Sequence, residues 1–195
     1  MNEQTKVTGV ILAGGLARRM GNQDKGLIQF KGKPMIEYAL SSMESVVDYV
    51  LINANRNILE YEKFGFPVIA DRTDSFDGPL AGVLTAMKAC ETPILLVMPC
   101  DSPLVSGRHL QKLLDTLHSE QADISVAFDG ERLHPVFLAL RTGLASSLEQ
   151  FLSGGGRKID LWLNQCHVVR ADFSNKPEIF RNINTLKELL ELEVD

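Results

Sequence analysis

Disulfide staples, a bilayer-spanning run and a basic surface are all missing from this chain. Its three cysteines, Cys90, Cys100 and Cys166, are odd in number and far apart. Neither a disulfide framework nor a zinc-ligand spacing follows from them, which fits a reducing cytoplasm. The longest apolar runs, such as residues 93–99, fall far short of the roughly 20 residues a membrane helix needs. A formal charge of −5 argues against bulk nucleic-acid binding, which uses a strongly basic face. The pair Arg18-Arg19 is not an export signal, because Gly21-Asn22-Gln23-Asp24-Lys25 follows in place of an apolar stretch. No repeat or low-complexity tract interrupts the sequence, and 195 residues suit one domain, 1–195, able to bury a substantial core.

What is present is concentrated near the amino end. The apolar run Val7-Thr8-Gly9-Val10-Ile11 leads directly into Leu12-Ala13-Gly14-Gly15-Leu16-Ala17-Arg18-Arg19-Met20-Gly21-Asn22-Gln23-Asp24-Lys25. Glycines let backbone N–H groups approach phosphate oxygens, and Arg18, Arg19 and Lys25 can supply charge. The segment is not a P-loop, since Gly26 follows Lys25 where Ser or Thr is required. Nor is it a dinucleotide fingerprint, because Gly14 and Gly15 are adjacent and the next glycine is Gly21.

The pattern L-A-G-G-x-x-x-R-M-G-x-x-D-K resembles nucleotidyltransferases that activate small molecules with NTP, and within them the molybdenum cofactor guanylyltransferase family. The resemblance continues through residues 52–56 (Ile-Asn-Ala-Asn-Arg), 68–71 (Val-Ile-Ala-Asp) and 78–82 (Gly-Pro-Leu-Ala-Gly). It extends through 99–103 (Pro-Cys-Asp-Ser-Pro), His134-Pro135 and 182–185 (Asn-Ile-Asn-Thr), so it spans nearly the whole chain. It implies a Rossmann-like fold and GMP transfer from GTP to the terminal phosphate of the molybdopterin cofactor, assisted by Mg²⁺. GTP and the molybdopterin cofactor are then the expected substrates. A cytoplasmic monomer is expected, with transient contacts to cofactor-synthesis proteins or recipient molybdoenzymes and no nucleic-acid or membrane partner.

Short apolar runs alternate with amphipathic stretches, which predicts an α/β fold: a doubly wound, mostly parallel sheet flanked by helices. Strands are predicted at 7–12, 49–53, 68–70, 94–98, 124–128, 136–140 and 167–171. Helices are predicted at 35–43, 58–64, 80–89, 109–119, 144–151, 159–164 and 186–192. In such sheets ligands gather beyond the carboxyl ends of the strands. That rule selects residues 12–25, Asn53, Asp71 and 99–103 as one rim, the same positions the resemblance marks.

Nucleotidyl transfer between two anions needs charge neutralisation and in-line positioning rather than a covalent nucleophile. The predicted nucleotide contacts are Leu12, Ala13, Gly14, Gly15, Lys25, Asn53, Asp71 and Asp101. Lys25 and Arg19 are the candidates for phosphate and transition-state stabilisation, with a solvated basic loop as the alternative; Arg19 is preferred to Arg18 because it holds the motif's R-M-G position. Asp101, just past a strand, can bind Mg²⁺ or can cap the following helix. The resemblance implies a nucleotide contact at Asp71; a carboxylate there can accept from guanine N1–H and N2–H₂ together, a donor pair that adenine and cytosine lack. Asn53 can read base or ribose, or form an Asx turn. Residues 78–82 can aim backbone N–H groups at a ligand or simply start a helix.

For the acceptor the candidates are Gly82, Arg157, Asn182 and Asn184. The glycines at 154–156 beside Arg157 and Lys158 can wrap a phosphorylated pterin or merely end a helix; Asn182 and Asn184 can read a heterocycle or cap the last helix. His134 can hydrogen-bond an anion or serve structurally before Pro135.

Three rivals follow. A cytidylyltransferase on the same pterin more often carries Ala-Ala-Gly where this chain has Ala13-Gly14-Gly15, and lacks the Asp before Lys. A sugar-phosphate nucleotidyltransferase is usually much longer. A non-catalytic binding or delivery module could dispense with Arg19, Lys25 and Asp101 together.

Overall fold

The computed structural model describes residues 5–14, 16–17, 23–71, 78–183 and 188. In chain order the elements of the first half are β1 (Val7–Leu12), β2 (Leu16–Ala17), β3 (Gln23–Asp24), β4 (Gln29–Phe30), β5 (Lys33–Pro34), α1 (Met35–Glu44), β6 (Tyr49–Asn53), α2 (Ile58–Glu62) and β7 (Val68–Ile69). The second half adds α3 (Pro79–Ala89), β8 (Ile94–Pro99), α4 (Gly107–Ser119), β9 (Ile124–Phe128), β10 (Leu133–Arg141), α5 (Ala145–Ser153), α6 (Ile159–Leu163) and β11 (Val168–Asp172).

Seven strands form one sheet in the order β11-β9-β10-β8-β1-β6-β7. Only β10 runs against its neighbours, β8 and β9; every other pairing in this sheet is parallel. Central strands of such a sheet are covered on both faces, so they read as continuous apolar runs. Successive side chains of β1 accordingly serve different cores. Ile11 packs with α1, α2 and α4 on one face, and Val10 packs with α3, α5 and α6 on the other. The α4 stripe Leu110, Leu113, Leu114 and Leu117 is buried as its spacing predicts.

Four local differences from the predicted elements have physical causes. Strand β10 begins before Pro135, not after it, because a register break between His134 and Leu138 takes up the residue without an N–H. Helix α4 starts at Gly107, with Ser106 before it giving its N–H to His109 Nδ1 at 3.0 Å. Helix α2 stops at Glu62, and Gly65 at φ +82° turns the chain toward β7. The β4–β5 ribbon went unpredicted because each strand has two residues; Lys31 (φ +46°) and Gly32 (φ +80°) make its tight two-residue turn. The predicted helix at 186–192 lies outside the described residues except for Glu188. No helix among the described residues is long and apolar enough to cross a membrane.

Candidate active site

Lateral pairing builds the rim. Leu12 stands opposite Asn53 on one side and Pro99 on the other, so β1, β6 and β8 end in line. The alignment continues one residue further, with the Ala13 N–H on Asn53 O (2.8 Å) and the Cys100 N–H on Leu12 O (3.1 Å). Asn53 in turn pairs with Ile69, which brings Asp71 to the same edge. A recess of about 340 Å³ opens there, lined among others by Leu12, Gly14, Lys25, Asn53, Asp71 and Asp101. A larger hollow of about 980 Å³ lies at the opposite, amino-terminal ends of β1 and β6, between Lys6, Tyr49, Phe66 and Cys90. It gathers none of the motif residues, and ligands of parallel sheets bind beyond the carboxyl ends of strands, so the smaller recess is the candidate site.

At its floor the Lys25 ammonium donates to Asp101 Oδ2 at 2.7 Å. Asp101 is 5% exposed, and its Oδ1 is buried without a hydrogen-bond partner among the described residues. Asp101 caps no helix: a turn separates it from α4, whose N-cap is Ser106. Buried polar atoms are almost always satisfied, so an uncommitted carboxylate oxygen beside a lysine suits a cation brought in with a substrate. Among the described residues no group of three or more His, Cys, Asp and Glu side chains could hold a metal alone. A divalent ion here would take one carboxylate from the protein and its other ligands from phosphates and water, the habit of Mg²⁺. The donor set fits that ion. Neighbouring Cys100 is buried, and burial, with the Asp101 and Asp24 charges second, pushes its thiol well above the ordinary range. A thiol so disfavoured as thiolate is no nucleophile, in keeping with direct transfer.

Asp71 is held rather than free. Asn53 Nδ2 donates to its Oδ1 at 2.9 Å, Asn55 Nδ2 to its Oδ2 at 2.8 Å, and the Asp71 N–H to Asn55 Oδ1 at 2.7 Å. A carboxylate has about four acceptor positions, so two amides orient it and leave capacity for further donors. Asn53 therefore makes cross-strand bonds, including one to Ile69 O at 3.3 Å, instead of an Asx turn. Gly78 (φ +108°) and Pro79 open α3 at the edge of the recess.

Of the acceptor candidates, Asn182 lies beside Asp101: its Oδ1 accepts from Ser102 Oγ at 2.7 Å, and the Ile183 N–H donates to Asp101 O at 3.1 Å. Ile183 is itself packed on Ile28, Phe30 and Met35, which fastens this segment to the rim. Gly82 is buried under Asn53 rather than lining the recess. Arg157 Nη1 donates to Leu152 O (2.9 Å) and Gly156 O (2.7 Å), closing the end of α5. The glycine run there behaves as a helix terminus, with Gly155 at φ +86° and Gly156 against the Phe151 ring. The His134 ring hydrogen-bonds through Nε2 to Asp129 Oδ2 at 2.6 Å and stacks on Phe180. Gly15, Arg18, Arg19 and Asn184 lie outside the described residues.

Sequence reading assigned no role to Asn55, Arg56, Asp24, Tyr61 or Ser102. Asn55, Arg56 and Ser102 sit in segments that carry the resemblance, and Asp24 in the motif itself; Tyr61 gave no signal.

A doubly wound sheet with a glycine-rich first loop, a rim lysine and a strand-end aspartate defines a nucleotidyltransferase. Residues 9–167 match the MobA-like NTP transferase domain family. The molybdenum cofactor guanylyltransferase of Shewanella halifaxensis is 46% identical over 187 residues, covering 96% of this chain and 94% of that one. That of Shewanella loihica is 44% identical, covering 96% and 95%. This chain belongs to the molybdenum cofactor guanylyltransferase family. Its fold is shared with molybdopterin-guanine dinucleotide biosynthesis protein A from Archaeoglobus fulgidus, at a TM-score of 0.79, 22% identity and coverage of 96% and 97%.

Proposed function

We propose that the chain transfers GMP from GTP to the terminal phosphate of the molybdopterin cofactor, giving the guanine dinucleotide form and pyrophosphate. The observation that carries the reading is the Lys25–Asp101 pair at the carboxyl rim, with Asp101 Oδ1 buried and uncommitted. Family membership supports the choice of nucleotide and acceptor.

In the reaction an oxygen of the pterin's terminal phosphate attacks the α-phosphorus of GTP. The bond from that phosphorus to the bridging oxygen breaks, and the electron pair leaves with pyrophosphate. Backbone at Gly14, which lines the recess, approaches the phosphates, while Ala13 is buried with its N–H spent on Asn53 O; Lys25 neutralises charge as it builds on the transferring group and the leaving oxygen. Asp101 would hold Mg²⁺, which when bound supplies Lewis-acid stabilisation of the phosphates. The fixed Asp71 carboxylate accepts from the guanine N1–H and N2–H₂, oriented by Asn53 and Asn55. Asn182, fastened beside Asp101 through Ser102, serves the acceptor side. The three free cysteines suit a reducing compartment such as the cytoplasm.

Pyrophosphate release tests the reading. It should require both GTP and the pterin, prefer GTP to CTP and ATP, and fall by at least about 100-fold in Asp101→Ala. Equal use of the four NTPs, or full activity in Asp101→Ala, would defeat it.

A further inference from the structure

We infer that Tyr61 is a positioning residue for Lys25: together with Asn57 it clasps the Asp24 carboxylate, and so holds the adjoining lysine in reach of Asp101. The inference rests on the assignment of Lys25 and Asp101 given above.

Asp24 is 6% exposed, yet it is absent from the lining of the recess. Its oxygens face inward: Tyr61 Oη donates to Oδ1 at 2.5 Å and Asn57 Nδ2 to Oδ2 at 3.2 Å. A carboxylate is costly to bury, so one sequestered from the ligand space and fixed by two donors is an anchor. Tyr61 is fully buried; burial first, then neighbouring Cys100 and the bond to Asp24, raises its phenol well above the ordinary range, so it remains a donor at any working pH.

The residue after the lysine is shaped to the same phenol. A Cβ on Gly26 would stand 2.5 Å from Tyr61 Oη and 3.1 Å from its Cε1. Asp24 and Gly26 thus both rest on Tyr61, and Lys25 between them starts a single 3₁₀ turn and reaches Asp101. Lysine is a point charge on a flexible stem, so its value to a transition state depends on where its backbone is pinned.

The clasp belongs to a longer stretch that touches each part of the nucleotide site. Asn55 grips Asp71, Arg56 Nη2 donates to Gly14 O at 3.2 Å, and Asn57 and Tyr61 hold Asp24. Residues 55–61 therefore tie the base-side carboxylate and both ends of the glycine-rich loop to one support.

The test uses Tyr61→Phe, which keeps the ring and removes only Oη, and Asn57→Gly, which keeps the left-handed backbone (φ +49°) and removes the amide. Asn57 is exposed, so its replacement disturbs no core packing and gives a second variant should Tyr61→Phe fail to fold. Reductive methylation of each lysine is mapped by peptide mass spectrometry in the full chain, beside kcat and the KM for GTP. Methylation of Lys25 should quicken by about fivefold or more in Tyr61→Phe and less in Asn57→Gly, with other lysines unchanged, as local loosening requires. The kcat of Tyr61→Phe should fall by about 10- to 100-fold while the KM for GTP moves by less than about threefold. Unchanged Lys25 methylation, or a uniform rise at all lysines with only a lowered Tm, would overturn the inference. Methylation needs no turnover, so a wild-type chain that failed to transfer GMP would sink the functional proposal and leave this result to stand or fall by itself.

Discussion

Gly82→Ala adds one methyl group to α3 where that helix meets the nucleotide site. On the existing backbone the new Cβ would stand 2.2 Å from Asn53 Oδ1, 2.9 Å from Asn53 Cγ and 3.0 Å from Leu12 Cδ2. Ordinary contact demands a retreat of Asn53 by about 1 Å. Asn53 is 3% exposed and is held by Asp71 Oδ1 and Ile69 O, so the retreat strains those bonds. Alanine in a helix gains roughly 0.5–1 kcal/mol over glycine. Overpacking costs roughly 1–3 kcal/mol, and a weakened bond to a carboxylate up to about 1.5–3 kcal/mol more. The cost wins, with a net loss of about 2 kcal/mol. For a chain of this size that lowers Tm by roughly 4–8 °C in a thermal melt followed by circular dichroism. Calorimetric titration should show GTP binding weakened about tenfold, because Asp71 loses its orientation. Adding Asn53→Ala removes the clash, so the double variant should be more stable than the sum of its parts by about 1 kcal/mol. A Tm equal to or above that of the parent, with GTP affinity unchanged, would refute this reasoning.

Asp71→Asn should leave Tm within about 2 °C of the parent while lowering the GTP-to-ATP preference in kcat/KM by at least about tenfold; an unchanged ratio would remove Asp71 from base recognition. Acid stability probes the Asp129 turn, where the Arg132 N–H first, then the Glu131 N–H and the His134 ring hold the carboxyl well below its usual range. A depressed folded pKa contributes stability that is fully present above the ordinary carboxyl value of about 4 and is lost as pH falls toward the folded value. Tm should therefore drop more steeply below about pH 4 in the parent than in Asp129→Asn, and parallel curves would show the turn contributes nothing to acid sensitivity.

The sheet was readable because its central strands are apolar on both faces and its connections are long enough to be helical crossovers. That also made the rim readable: once β1, β6 and β8 are parallel neighbours, Leu12, Asn53 and Pro99 must end together, and Asp71 and Asp101 follow at the same edge. Choices between capping and binding were not readable, because they turn on contacts between distant residues. Asp101 could cap a helix until Ser106 is seen to hold that place. Asn182 acquires its position from Ser102, 80 residues earlier. Arg157 beside three glycines suggests a phosphate, whereas its guanidinium closes α5 on Leu152 O and Gly156 O. Tyr61 is indistinguishable in sequence from any core aromatic of an amphipathic helix; its bond to Asp24, 37 residues away, sets it apart.

The most direct measurement follows the α-phosphate of GTP carrying a radioactive label. With Mg²⁺ and the purified molybdopterin cofactor, the wild-type chain should move the label into a pterin dinucleotide and release one unlabelled pyrophosphate per transfer, and a folded Asp101→Ala chain should leave it in GTP. Label recovered as free GMP without dinucleotide, or equal transfer by Asp101→Ala, would contradict guanylyl transfer at the Lys25–Asp101 site.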